Sequence, residues 1–355
     1  MELFTKQYNA PGTTPGTLVE RTGAGGAMMI FDYTAEAFAE VIDADIAACQ
    51  HYVEQDNNTW IHIQGVPDVE VLRNLAEALD IHALYLEDVI HLGQRPKLDI
   101  SDQQAFMILG LPLVVGDKIT MQQVCFFLGD RYVISVCSGE VDPFELVVQR
   151  LRQKASKLRQ RPADYLFYAL IDTVIDHGFP MLEKYAERIE DLEDALMEKP
   201  DADLLQEIHR LRRELLLLRR QLWPQREVIN ALLRDSDPAL ISDDTRVFLR
   251  DCHDHTIAIL EMLQTYWEMS SGMLEVYLSS MSNRMNNVMR LLTVIATLFI
   301  PPTFLVGVYG MNFKTDAGPL SMPELASPYG YLMVWAVIVV MMGSMLWYFK
   351  RHKWL

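Results

Sequence analysis

The chain is short of cysteine, of positive charge and of nucleotide-binding motifs. Only four cysteines occur in its 355 residues. Cys49, Cys125, Cys137 and Cys252 include no C-x-x-C pair, which excludes a zinc knuckle or dithiol redox centre of that spacing. They read as small core residues in a reducing compartment. Lysine plus arginine number 31 against 48 aspartates and glutamates, a formal net charge of −17. General nucleic-acid binding is thereby excluded, because it needs a basic footprint. There is no P-loop, no G-x-G-x-x-G, and no serine or cysteine in a recognisable nucleophile elbow. Nothing is built to hydrolyse ATP, no catalytic cofactor is implied, and no constellation supports an enzyme. The opening MELFTKQYNAPGTTPG has neither an apolar core nor an Arg-rich transit pattern, so no N-terminal signal sequence is expected.

Charge is also missing from two long runs near the C-terminus, and there the absence is informative. Leu291 to Phe313 and Leu325 to Phe349 contain no charged residue, 23 and 25 positions respectively. At 1.5 Å per residue, about 20 residues cross a hydrocarbon core of about 30 Å. Both runs are long enough to span a bilayer, and a buried helical hairpin in a soluble core is the alternative. Trp335, Trp347 and Trp354 near the ends fit interfacial belts. Arg284 and Arg290 precede the first run, and Lys350, Arg351 and Lys353 follow the second. The positive-inside rule then places both termini in the cytoplasm and the short 314–324 loop outside.

Residues 28 to about 160 read as mixed α and β. MMIFDY, WIHIQGV, AFMILGLPLVV, ITMQQVCFFLG and RYVISVC are strand-like, with Gly116-Asp117 and Gly129-Asp130 as hairpin turns between the last three. DVEVLRNLAEALD and HALYLEDVIH are helical. After Pro162 the chain reads as almost wholly helical. An acidic stretch, 183–203, precedes an arginine-rich one, 206–227, and an antiparallel hairpin would set the two charges against each other. Two solvated faces of opposite sign are the alternative. The pattern resumes at Ser242-Asp243-Asp244, a plausible N-cap, and runs without proline to Pro301. A helix of that length needs neighbours, which points to self-assembly. Pro301-Pro302 is expected to bend it.

On this helix, Glu275, Ser282, Met289, Ala296, Thr303 and Gly310 recur at steps of seven, with Asn286, Thr293 and Ile300 alongside. The stripe is small and mostly polar, and Leu292 adjoins it. The pattern leaves tight helix packing and pore lining equally open. His253 and His255, two residues apart, point about 200° apart on a helix and cannot share a metal, whereas Asp251 with His255 can.

The first apolar run ends in Gly310-Met311-Asn312, and Met322 to Leu325 reads MPEL. With the second terminal run, the tail FKRHKWL, and the segments WPQREVI, RDCHDHT and SSMSNRMNNVMRLLTVIAT, the chain resembles the CorA family of magnesium and cobalt transporters. The resemblance implies a funnel-shaped homopentamer in a prokaryotic inner membrane, with five first spans lining the pore. It implies that Gly310, Met311 and Asn312 receive hydrated Mg²⁺ at the mouth. Asn286 is implied as an inner polar ring and Met289 with Leu292 as a hydrophobic constriction, with Thr293, Ile300 and Thr303 along the path. It also implies closure by cytoplasmic Mg²⁺ between subunits, at Asp88 facing Glu275 and at a second group of Glu87, Asp172 and Asp251. Mg²⁺ and Co²⁺ are then substrates, Mg²⁺ is also a regulatory ligand, and the partners are the bilayer and further copies of the chain. A zinc transporter of the same architecture and a non-conducting membrane-anchored helical scaffold are the alternatives.

The expected architecture is therefore an α+β cytoplasmic domain, a long-helix bundle and two transmembrane helices per chain. Its parts are a cytoplasmic α/β domain (1–162), a helical hairpin (163–241), and a stalk helix entering the membrane (242–313, membrane part about 291–311). The external loop (314–324), the second span (325–349) and a basic tail (350–355) complete it.

Overall fold

The β-branched and aromatic runs assemble into one mixed sheet. A computed structural model describes residues 25–101, 104–116, 118–198, 200–235, 237, 240–312, 318, 322, 325 and 327–354. The strands are β1 Ala27–Tyr33, β2 Phe38–Val41, β3 Asn58–Gln64, β4 Lys97–Ile100, β5 Ala105–Val115, β6 Lys118–Leu128 and β7 Tyr132–Cys137. Their order is β2-β1-β3-β7-β6-β5-β4, with β3 and β7 parallel and the other neighbours antiparallel. Both expected hairpins are present. β5 and β6 pair up to Val115 opposite Lys118, which leaves a two-residue loop whose Gly116 takes φ +61°. That left-handed conformation is one that glycine adopts without steric cost.

Alternation along the strands sends side chains to two cores. Ile61, Ile63, Cys125, Phe127, Ile134 and Val136 face one core with Leu72, Leu75, Leu86 and Val89. The last four come from α2 Val69–Leu79 and α3 Ala83–Ile90, beside α1 Ile46–Val53. Trp60 and Phe126 face the other, where both meet Phe144 and Phe126 meets Phe167 edge-on. That side is covered by α4 Glu145–Arg152, α5 Ala163–Asp176, α6 Gly178–Glu198 and α7 Ala202–Asp235. Ser135, His62 and Asp142 form a line of contacts within it, at 2.7 and 3.5 Å. Despite its likeness to a hydrolase triad, His62 and Ser135 are fully buried and the Ser135 oxygen already accepts from Trp60 Nε1. It is a core network. All four cysteines are free and buried, as expected.

The hairpin of α6 and α7 forms, but its charges do not interlock as anticipated. The carboxylates of α6 from Glu183 to Glu198 lie on exposed positions. The ion pairs that join the arms run the other way, from Arg188 of the acidic arm to Glu207 and Glu214 of the basic one. The apolar stripe of each helix, with Tyr185, Ile189 and Leu192 on α6 and Ile208, Leu211 and Leu215 on α7, decides which faces meet.

The final helices are α8 Asp243–Tyr309 and α9 Gly330–Arg351. Ser242 caps α8, its Oγ accepting from Thr245 N–H at 3.4 Å. The helix continues through Pro301-Pro302 to Tyr309. The chain divides into two compact units, one reaching Met273 and the other Leu274–Leu355. In the second unit the most apolar stretches of both helices are only 11% buried. A soluble core would cover them, so this is the signature of a membrane-embedded pair. The helical part of the second run starts at Gly330 rather than Leu325. Pro328 disfavours helical backbone at the residue before it and accounts for the later start. Lys314, Asp316 and Glu324 lie outside the described residues.

Candidate cation pathway and sensor

Helical geometry gathers the anticipated pathway residues on one face. At 100° per residue, Asn286, Met289, Leu292, Thr293, Ile300 and Thr303 fall within about 120° of arc. All six are exposed in the single chain. A charge-free face of this kind, with side-chain oxygens at Asn286, Thr293 and Thr303, is poorly suited to lipid. Thr293 Oγ1 donates to Met289 O at 2.8 Å. The opposite side of α8 faces α9 across an apolar cavity of about 820 Å³, lined among others by Phe299, Val306, Trp335 and Ile338. Thr303 lines that cavity as well, so it sits at the edge of the polar face.

The helix ends where the glycine-methionine-asparagine triplet begins. Gly310 N–H bonds Val306 O at 2.9 Å and Met311 N–H bonds Val308 O at 3.2 Å. Asn312 follows the last turn and is exposed. A side chain at position 310 would bring its Cβ to 3.3 Å from Val306 O, a tight approach that glycine avoids. The triplet thus caps a helix C-terminus, whose unpaired carbonyls and negative dipole end favour cations.

The carboxylates expected to sense the ion occupy different surroundings. Asp88 on α3 is held by Lys97 Nζ at 2.7 Å, and Lys97 also reaches Asp99 at 3.1 Å. Burial works against the charge on Lys97, but the hydrogen bonds and charges of Asp88 and Asp99 outweigh it and raise its pKa above the ordinary lysine value. Asp88 is therefore already engaged by a cation of its own chain. Glu87 lies 3.8 Å from His91 Nδ1. Glu275 is exposed on α8 in the second unit.

Asp172 and Asp251 are brought together through a residue outside the expected ligand set. His255 Nδ1 lies 3.0 Å from Asp176 Oδ1, and its Nε2 lies 3.8 Å from Asp251 Oδ2. Asp172, Asp176 and His255 each present a ligand atom within 4.8 Å of the others. Burial first, then the charge of Asp176, pushes the Asp172 carboxyl above the usual carboxylate range, against the lowering by Cys252 and His255. Cys252 Sγ donates to Asp172 Oδ1 at 3.4 Å, and burial with these carboxylates pushes its thiol far up. Asp176 was legible as the second member of an Asp-x-x-x-Asp repeat on α5, which places both carboxylates on one face.

A family model described as CorA-like Mg²⁺ transporter protein matches residues 55–351. The cobalt/magnesium transport protein CorA of Thermotoga maritima is 38% identical over 351 residues, covering 97% of each chain. The zinc transport protein ZntB of Pectobacterium carotovorum is 26% identical over 234 residues, 64% of this chain and 67% of that one. The complete structure of the CorA magnesium transporter from Methanocaldococcus jannaschii shares the fold, with TM-score 0.77 and 22% identity over 92% of this chain and 98% of that one.

Proposed function

The chain belongs to the CorA-like Mg²⁺ transporter family, and from that premise we propose that it is a homopentameric channel of a prokaryotic inner membrane. It passes Mg²⁺, and also Co²⁺ and Ni²⁺, into a cytoplasm that holds both termini. The observation that carries this reading is the uncharged, oxygen-bearing face of α8 that ends at Gly310-Met311-Asn312. Two helices cannot enclose water, so several copies around an axis must supply the path. The Asn312 amides and nearby carbonyls hydrogen-bond hydrated Mg²⁺ without stripping a shell it gives up reluctantly. Asn286 and the hydroxyls of Thr293 and Thr303 serve the same ion further in, past Ile300. Met289 and Leu292 narrow the path by dewetting.

Influx needs no nucleotide. A divalent ion gains roughly 4.6 kcal/mol at 100 mV. That sustains accumulation on the order of 10³-fold. Such a gradient calls for a brake, and the acidic groups at Asp88 with Glu275, and at Glu87, Asp172 and Asp251, provide it when cytoplasmic Mg²⁺ bridges subunits. Lys97 supports this role for Asp88, as a built-in cation that holds the carboxylate until Mg²⁺ displaces it.

The test is ion uptake by liposomes holding the purified protein, with Mg²⁺ and Zn²⁺ in parallel and Mg²⁺ varied on the cytoplasmic side. Mg²⁺ should enter faster than Zn²⁺, lumenal Mg²⁺ should slow it, and Asn312→Ala should abolish it. Undiminished uptake by Asn312→Ala removes the filter assignment. Faster Zn²⁺ entry replaces the reading with zinc transport, and no flux of any cation leaves a scaffold.

A further inference from the structure

Acid is absent from both apolar helices and their flanks. No aspartate or glutamate occurs between Glu275 and Asp316, or after Glu324, in a chain whose net charge is −17. At one end of the two apolar runs stand Arg284, Arg290, Lys350, Arg351 and Lys353 instead, all exposed. Phe299 on α8 and Met342 on α9 line the same cavity. Arg290 lies nine residues before the first and Arg351 nine after the second, about 14 Å along each helix, so both stand at one level. We propose that this basic belt binds anionic phospholipid headgroups, of the phosphatidylglycerol class, in preference to zwitterionic ones.

Basic residues at a helix C-terminus complement the dipole, and basic flanks orient a span, whatever the lipid. Two details go further. Arg284 and Arg290 lie well inside α8, which runs from Asp243 to Tyr309, so no dipole end attracts them. Lys353 adopts φ +55°, the left-handed region. Its N–H bonds Lys350 O at 3.2 Å, and Trp354 N–H bonds Phe349 O at 2.9 Å. This is the helix closure in which glycine is the usual left-handed residue, and lysine carries a steric cost there that glycine does not. The backbone therefore gives no reason for lysine at this position, and its charged side chain supplies one.

The closure also sets an aromatic ring beside the cations. Trp354 folds back on Phe349, ring centroids 5.8 Å apart and planes 25° from parallel. Phe349 is 6% exposed and Trp354 43%. An indole held in this way, with one side covered and the other open, suits the boundary between acyl chains and headgroups. Arg351 Cζ lies 5.2 Å from the Trp347 ring centroid. That contact engages the guanidinium by its face and leaves its N–H edge for a phosphodiester. A zwitterionic headgroup offers the same phosphate, but its ammonium would meet five cations and no carboxylate. A headgroup with net negative charge meets no such penalty. Near an anionic surface each lysine or arginine contributes about fivefold in affinity.

The proposal rests on the membrane reading of α8 and α9 and requires no conduction. Its test uses full-length protein in phosphatidylcholine bilayers, with brominated phosphatidylglycerol or brominated phosphatidylcholine mixed in. Bromine quenches the fluorescence of tryptophans that touch lipid, and the share of Trp354 is wild type minus Trp354→Phe. Brominated phosphatidylglycerol should quench Trp354 at an at least about fivefold lower mole fraction than brominated phosphatidylcholine, and about 1 M salt should remove most of that difference. Lys353→Gly keeps the closing turn and removes the charge. It should leave quenching by brominated phosphatidylcholine unchanged and lower the phosphatidylglycerol preference severalfold, whereas Lys353→Arg should retain it. Lys350→Gln combined with Lys353→Gly should bring the preference at Trp354 close to one. Equal quenching by the two lipids in wild type, or an undiminished preference in the double variant, overturns the proposal and leaves the membrane reading standing. If neither lipid quenches any tryptophan, Trp335 and Trp347 of α9 included, the membrane reading falls and the proposal with it.

Discussion

Replacing Lys97 by methionine should make the channel close at lower cytoplasmic Mg²⁺. Methionine keeps the stem that lies against the rings of Tyr85 and Phe106, where the ammonium sits 5.9 and 5.3 Å from the centroids. It removes the charge 2.7 Å from Asp88. At an effective dielectric constant of about 20, that pair attracts by about 6 kcal/mol before solvent is considered. The side chains are 37% and 20% exposed, so screening and desolvation leave a net worth of about 1 kcal/mol. An incoming cation no longer has to displace Lys97, which corresponds to a roughly fivefold lower half-inhibitory Mg²⁺ concentration. The assay is uptake by proteoliposomes loaded with graded Mg²⁺. Adding Asp88→Asn to Lys97→Met should erase the gain, because the gain acts through that carboxylate and not through Asp99. If Lys97→Met closes at the same Mg²⁺ concentration as wild type, or at a higher one, Asp88 is not the group that Mg²⁺ engages.

Three other outcomes follow from the structure. Arg188→Met strands the Glu214 carboxylate, 6% exposed, and should destabilise the cytoplasmic unit by about 3–5 kcal/mol in urea unfolding, with Glu214→Leu in the same chain restoring much of it. Phe126→Ala removes a buried ring packed on Phe144 and Phe167 and should cost about 3–5 kcal/mol by the same measurement. Asp172→Asn, studied in chelator, should raise Tm near neutral pH. A carboxyl whose folded pKa is raised favours the folded state when protonated and penalises it as pH climbs through the folded value. The advantage of Asn should therefore vanish as pH falls to the ordinary aspartate value of 3.8, and a gain that persists there would mean burial of the charge is not its source.

Much of this molecule was legible because its strongest signals are local. The uncharged runs, the Gly116 and Gly129 turns and the proline-free stretch before Pro301 each depend on neighbours in sequence, and each lies in an element of the expected type, although the second run turns helical only at Gly330. β2 and β4 escaped because four half-buried residues, FAEV and KLDI, carry no alternation worth reading and become strands only by pairing with β1 and β5. The hairpin charges misled because net charge per segment says nothing of facing. Arg188, one of three basic residues in the acidic 183–203 stretch, happens to sit beside the stripe that packs. At the proposed sensor, Asp88 was visible and its partner was not, since Lys97 lies nine positions away and arrives on another element. Asp176 and His255 illustrate the same limit from the other side. The sequence paired His255 only with Asp251 and gave no role to Asp176, and only the packing of α5 against α8 shows that both lie beside Asp172.

The Thr293 hydroxyl gives its single proton to the Met289 carbonyl. What remains to face outward from that position is a pair of lone pairs and nothing to donate. A row of hydroxyls free to rotate would serve either sign of ion, turning protons toward an anion or oxygen toward a cation. Committing the proton to the backbone removes the first option. In a ring of such residues, water next to the wall would orient its hydrogens outward and its oxygens toward the axis. In the pore proposed above, rejection of chloride or phosphate at this ring would then need no ionised group.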